Sequence, residues 1–132
     1  MGKKRYLIDT NIAIEYIGDT LPEKALYFLD SIFDSQFYIS VINKIELLGF
    51  SSITKEEELK FTELINAAEI IELNENIVTS TINIRKTYKT KLPDAIIAAS
   101  ALFNNLTLIT RNTQQYCYTI NSSKSSFSNS VG

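Results

Sequence analysis

Apolar residues in this chain come in short runs of three or four, and in longer stretches where they recur every three or four positions. The short runs read as strands and the spaced stretches as helices. Tyr6-Leu7-Ile8 is a buried first strand that ends in Asp9-Thr10-Asn11. Ile12, Ala13, Tyr16 and Ile17 then keep helical spacing until Gly18, which stops the helix. Pro22-Glu23 suits the first turn of a second helix, whose apolar face is Ala25, Leu26, Leu29, Ile32 and Phe33.

Phe37-Tyr38-Ile39-Ser40 reads as a second strand, followed by a helix carrying Ile45, Leu47 and Leu48. Thr54 before three glutamates is a helix start, because a hydroxyl caps free N–H groups and acids suit the first turn. Ile70-Ile71 and Leu73 mark a third strand. Ile77, Thr81, Ile84 and Tyr88 share one helix face. Pro93-Asp94 opens a helix over Ala95 to Leu102 that is apolar nearly all round and therefore buried. Leu106 to Thr110 is a strand, and a weaker one lies near Tyr118-Thr119-Ile120.

Short apolar strands alternating with helices predict an α/β fold, with a mostly parallel sheet between helices on both faces. The length of 132 residues allows one domain, placed at residues 1–121. The remaining Ser/Asn-rich tail, 122–132, has the composition of a disordered segment. No apolar run reaches membrane-spanning or signal-peptide length, so a cytoplasmic location away from the membrane is expected.

Composition narrows the chemistry. There is no histidine and one cysteine, Cys117. That excludes Ser-His-Asp and Cys-His catalysis, an internal disulfide, and metal sites built on histidine or on several cysteines. Hydrolysis would have to rest on carboxylates, hydroxyls, lysine or a bound ion. The net charge of −2 argues against a nucleic-acid binder as a whole, so any such binding needs a local basic patch.

In an open α/β sheet the site lies at the carboxyl ends of the strands. Asp9 follows the first strand, Glu46 lies in the helix after the second, Asp94 begins a helix, and Asn112 follows Thr110 at the end of the fourth strand. Taken singly, each has an ordinary explanation as a cap, a solvated acid or a turn residue. Three acids gathered at one edge repel one another and need a cation. Hard oxygen ligands suit Mg²⁺ or Mn²⁺, which can supply a nucleophile without histidine.

Four ordered segments carry a resemblance: Tyr6-Leu7-Ile8-Asp9-Thr10-Asn11, Ser40 to Leu47, Leu92-Pro93-Asp94-Ala95 through Ala99, and Leu108 to Asn112. Together they resemble the PIN-domain family, and most closely its VapC toxins from bacterial type II toxin–antitoxin systems. The resemblance implies a three-layer α/β/α sandwich of about five strands and endonucleolytic cleavage of RNA. It implies Asp9, Glu46 and Asp94 as ligands of Mg²⁺ or Mn²⁺, with Asn112 completing the catalytic set. Thr10, Asn11 and Thr110 would support that set. A small antitoxin would block the site, and the toxin would form a homodimer.

One position departs from the family: Gln115 stands where members often carry a further acid. It motivates a rival reading, a PIN-like domain that binds RNA or protein without cutting. A haloacid-dehalogenase-type phosphatase, with Asp9 as nucleophile, would want a second aspartate where this chain has Asn11.

Arg85, Lys86, Lys89 and Lys91 form a basic stretch leading to Asp94. It is either a solvated face or, with Arg111 at the rim, a track for RNA phosphates. Arg85 and Lys89 are spaced by four and so share one side of a helix, with Ile84 and Tyr88 burying the adjacent side.

Overall fold

The computed structural model describes residues 4–110 and the strand backbones of 118–121 and 126–129. Among these, β1 (Tyr6–Ile8) leads to α1 (Thr10–Ile17) and α2 (Glu23–Phe33). Next come β2 (Tyr38–Ser40), α3 (Val41–Leu48), α4 (Lys55–Ala67) and β3 (Glu69–Ile71). Then follow α5 (Glu75–Thr87), α6 (Leu92–Phe103), β4 (Thr107–Thr110), β5 (Tyr118–Asn121) and β6 (Ser126–Asn129).

The described strands form one sheet in the order β3-β2-β1-β4-β5-β6. The first four run parallel, while β5 and β6 are antiparallel additions at one edge. The fold is thus the expected α/β sandwich, with six strands in place of about five. The extra strand, β6, falls in the tail that composition marks as disordered; it places Phe127 opposite Ile120. Composition reports side chains, whereas an edge strand is held chiefly by backbone hydrogen bonds, so the serine-rich sequence carries little sign of it.

Side chains alternate across the strands and split the core in two. Ile8, Ile39 and Ile109 face one side and pack with Ile12, Leu29, Leu47 and Phe61 from the first four helices. Leu7 and Leu108 face the other and meet Ile97, Ala98 and Ala101 of α6. The registers agree with this split, since Leu7 pairs with Leu108 and Ile8 with Ile109. Residues Ala95 to Ala101 of α6 are all buried, as its all-round apolarity requires. Among the described residues no helix is long and apolar enough to cross a membrane.

Helix ends follow the capping residues. Asp9, Ser40, Thr54 and Asn74 each accept a backbone N–H at the start of α1, α3, α4 and α5. Helix α1 does stop at Gly18, but the left-handed residue is Asp19, with φ 59°. Gly18 itself has φ −80°. Aspartate tolerates the left-handed region through its short polar side chain, so the turn does not need glycine there.

Candidate functional site

The strand order turns over at β1. Its neighbours are β2 on one side and β4 on the other, so their following connections diverge and leave a crevice at the carboxyl edge. Asp9 stands at that edge. Its backbone N–H donates to Ile109 O at 3.0 Å, which carries the β1–β4 ladder one residue past the strand.

Both carboxylate oxygens of Asp9 are held. Oδ1 accepts the Thr10 N–H at 2.8 Å, the capping bond of α1. Oδ2 accepts the Thr110 hydroxyl at 2.6 Å, from the end of β4. Burial pushes this carboxyl above its ordinary value. The hydrogen bonds from Thr110 and Thr10 pull it back, and the negative charges of Asp94 and Glu46 push it up further. Those two acids therefore act on Asp9, although they come from separate elements.

Glu46 sits half-buried in α3. Its Oε1 accepts the Thr10 hydroxyl at 2.5 Å. Thr10 thus joins the two acids, with its amide on Asp9 and its hydroxyl on Glu46. Behind it lies Asn43, completely buried, whose Nδ2 donates to Thr10 Oγ1 at 2.9 Å. Asn43 Oδ1 accepts the Ser40 N–H at 2.7 Å, at the junction of β2 and α3.

Asp94 lies exposed in the first turn of α6. That helix ends just before β4 begins, so its start lies back toward the carboxyl edge. The exposed N–H groups of a first turn favour an acid there.

Of the residues expected from the sequence, Asp9, Glu46, Thr10 and Thr110 are joined by hydrogen bonds, and Asp94 is coupled to Asp9 through charge. Asn11 is exposed on α1 beside them. Arg111, Asn112, Gln115 and Cys117 lie outside the described residues. Asn43 and Ser40 were missed as functional candidates. The signal was present: an asparagine three residues after a serine, inside the apolar start Val41-Ile42, is the spacing of a reciprocal cap.

Among the described residues no three acidic side chains are gathered as a preformed metal cage. The donor set nonetheless suits a cation. It comprises a carboxylate raised by burial, two further carboxylates that raise it more, and hard oxygen atoms throughout. Such a site becomes electrostatically favourable when positive charge enters it.

The basic stretch differs from expectation. Helix α5 stops at Thr87, and Tyr88 is extended (φ −125°, ψ 151°), so Lys89 does not share a helix face with Arg85. Tyr88 is 52% exposed rather than buried. The chain leaves α5 at Tyr88 and must reach the N-cap of α6 at Lys91, and both residues are extended, which ends the helical pattern early. Arg85, Lys86, Lys89 and Lys91 are nevertheless all exposed, and Lys91 immediately precedes α6.

A family profile described as PIN domain matches residues 6–119. Among solved structures, the chain is similar to a toxin–antitoxin complex from Klebsiella pneumoniae at 33% identity and TM-score 0.69. That match covers 83% of this chain and 88% of the other. It is similar to FitAcB from Neisseria gonorrhoeae at 27% identity and TM-score 0.66, covering 82% and 88%. VapBC2 from Rickettsia felis, bound to a promoter DNA fragment, shares the fold at 23% identity and TM-score 0.70, covering 83% and 89%. No curated protein matches closely enough to add to these.

Proposed function

This chain belongs to the PIN-domain family, and from that premise we propose that it is a metal-dependent endoribonuclease, the toxin of a type II toxin–antitoxin pair. The observation that carries this reading is Asp9: a half-buried carboxylate, fixed at both oxygens, in the field of Glu46 and Asp94 at the carboxyl edge of the sheet. Asp9, Glu46 and Asp94 would hold Mg²⁺ or Mn²⁺, and Asn112 would complete the catalytic set. The ion, when bound, supplies activation of the attacking water and charge neutralisation at the phosphoryl group.

The remaining work falls to the chain itself. Thr110 and Thr10 keep the Asp9 oxygens aimed, and Thr10 does the same for Glu46. Asn11 lines the approach from α1. Arg85, Lys86, Lys89, Lys91 and Arg111 meet the phosphates of the RNA, which gives salt-dependent affinity independent of sequence. A small antitoxin partner, a homodimer and a cytoplasmic site of action complete the reading. The similarity to toxin–antitoxin complexes supports the partner.

The test is incubation with total cellular RNA in Mg²⁺, Mn²⁺ or EDTA, beside Asp94→Asn. Discrete fragments that need the ion and vanish in the variant are the expected result. Binding to RNA or antitoxin with no cleavage under any condition would establish the non-cutting alternative, and would make Gln115→Asp the first position to restore.

A further inference from the structure

We infer that Asn43 is a positioning residue of the site: it holds the Thr10 hydroxyl in the one orientation that donates to Glu46. The inference rests on the nuclease reading above and assigns a role to a residue that touches neither RNA nor ion.

A threonine hydroxyl has a single proton and can aim it at several acceptors. At Thr10 the choice includes Glu46 and any other oxygen within reach. Asn43 removes that freedom. The Ser40 backbone N–H can only donate, so the oxygen of the Asn43 amide must face it, at 2.7 Å. This turns the amide nitrogen toward Thr10, where it donates to Oγ1 at 2.9 Å. With a donor occupying one side of its oxygen, Thr10 sends its proton to Glu46 Oε1, at 2.5 Å.

The chain of bonds runs Ser40, Asn43, Thr10, Glu46. It begins on the backbone where β2 becomes α3, so it is anchored to the sheet rather than to a mobile side chain. Asn43 is completely buried, which leaves it no direct access to a ligand and makes Thr10 its route of action. Partners placed one step behind a metal ligand commonly alter metal affinity or activity by about 10- to 100-fold when lost.

Asparagine also caps α3, so a loss of function on removal could reflect folding alone. Asn43→Asp separates the two roles. Aspartate keeps an oxygen for the Ser40 N–H but offers Thr10 an acceptor instead of a donor. The Thr10 proton is then drawn away from Glu46. Asn43→Asp, Thr10→Val, Thr10→Ser and the double variant Thr10→Val/Asn43→Asp would be compared with wild type by circular dichroism. Mn²⁺ titration would follow by electron paramagnetic resonance, then RNA cleavage.

The expected result is a folded Asn43→Asp whose Mn²⁺ affinity and kcat fall about 10- to 100-fold, with KM for RNA nearly unchanged. Thr10→Val falls comparably, Thr10→Ser stays near wild type, and the double variant is no worse than Thr10→Val. Mn²⁺ affinity and kcat within twofold of wild type in folded Asn43→Asp would overturn the inference and leave Asn43 a helix cap. If Asn43→Asp does not fold, the threonine pair decides: equal values for Thr10→Val and wild type overturn the inference. A wild-type protein that neither binds Mn²⁺ nor cuts RNA fails differently, since it overturns the nuclease reading itself.

Discussion

Acids are gathered in two ways in this protein, and the two behave differently. On α4, Glu56, Glu57 and Glu58 are consecutive, the densest run of negative charge in the chain. There Glu57 accepts the Thr54 N–H at 3.0 Å to close a reciprocal cap, and Glu56 meets Lys60 at 3.7 Å across solvent. The acids of the carboxyl edge instead come from three separate elements. Asp9 among them is raised by burial and by the charges of the other two. Acid density in sequence is therefore no guide to chemistry. Water and helix N–H groups absorb the first cluster, while in the second the charges of Glu46 and Asp94 still act on Asp9.

Breaking the second cluster should matter most. Asp9→Asn is expected to reduce RNA cleavage to below about one hundredth of wild type, because even a partner one step behind a ligand costs 10- to 100-fold. A cleavage assay in Mn²⁺ checks this.

Next in size is the basic stretch. Replacing Arg85 and Lys89 together by glutamine is expected to weaken RNA binding at low salt. It should also flatten the slope of log affinity against log salt by about 0.7 per lost contact. An unchanged slope would return these side chains to ordinary solvated status.

The α4 cluster should respond only in stability. Thr54→Ala removes the hydroxyl that accepts the Glu57 N–H at 3.1 Å. It is expected to cost about 1 kcal/mol in urea unfolding while leaving cleavage untouched. Glu58→Gln, on the exposed side of the same turn, should alter neither quantity measurably.

The pH dependence sharpens the contrast. The Asp9 carboxyl is raised in the folded protein, so between the ordinary value and the raised one the native metal-free state holds a proton that the unfolded chain has released. Its stability contribution is therefore lost as pH rises from the ordinary value of 3.8 through the raised native one. Asp9→Asn should remove this dependence.

Much of this was legible in the residues. Strands β1, β2 and β4 announced themselves as short apolar runs, and α6 as an apolar helix, because buried elements cannot carry polar side chains without partners. Asp9, Glu46 and Asp94 were legible from their places after strands and at a helix start. The end of α5 was not, because the spacing of Ile77, Thr81, Ile84 and Tyr88 continues past Thr87, where the chain leaves α5 to reach the start of α6. Strand β6 was hidden because backbone pairing leaves little mark on composition. The link through Asn43 was hidden for another reason: a buried amide looks like a surface one until its partners, distant in sequence, are known.

The central claim is that the carboxyl edge is an unneutralised acid cluster waiting for a cation. Thermal unfolding of wild type and Asp9→Asn, each with and without Mn²⁺ at neutral pH, tests it most directly. Without metal, Asp9→Asn should melt higher than wild type, because it relieves a half-buried charge in the field of two others while keeping an oxygen for Thr10. With Mn²⁺, wild type should gain stability by ligand linkage and the variant should not. A metal-free Asp9→Asn that melts below wild type, with Mn²⁺ shifting both proteins equally, would contradict the claim.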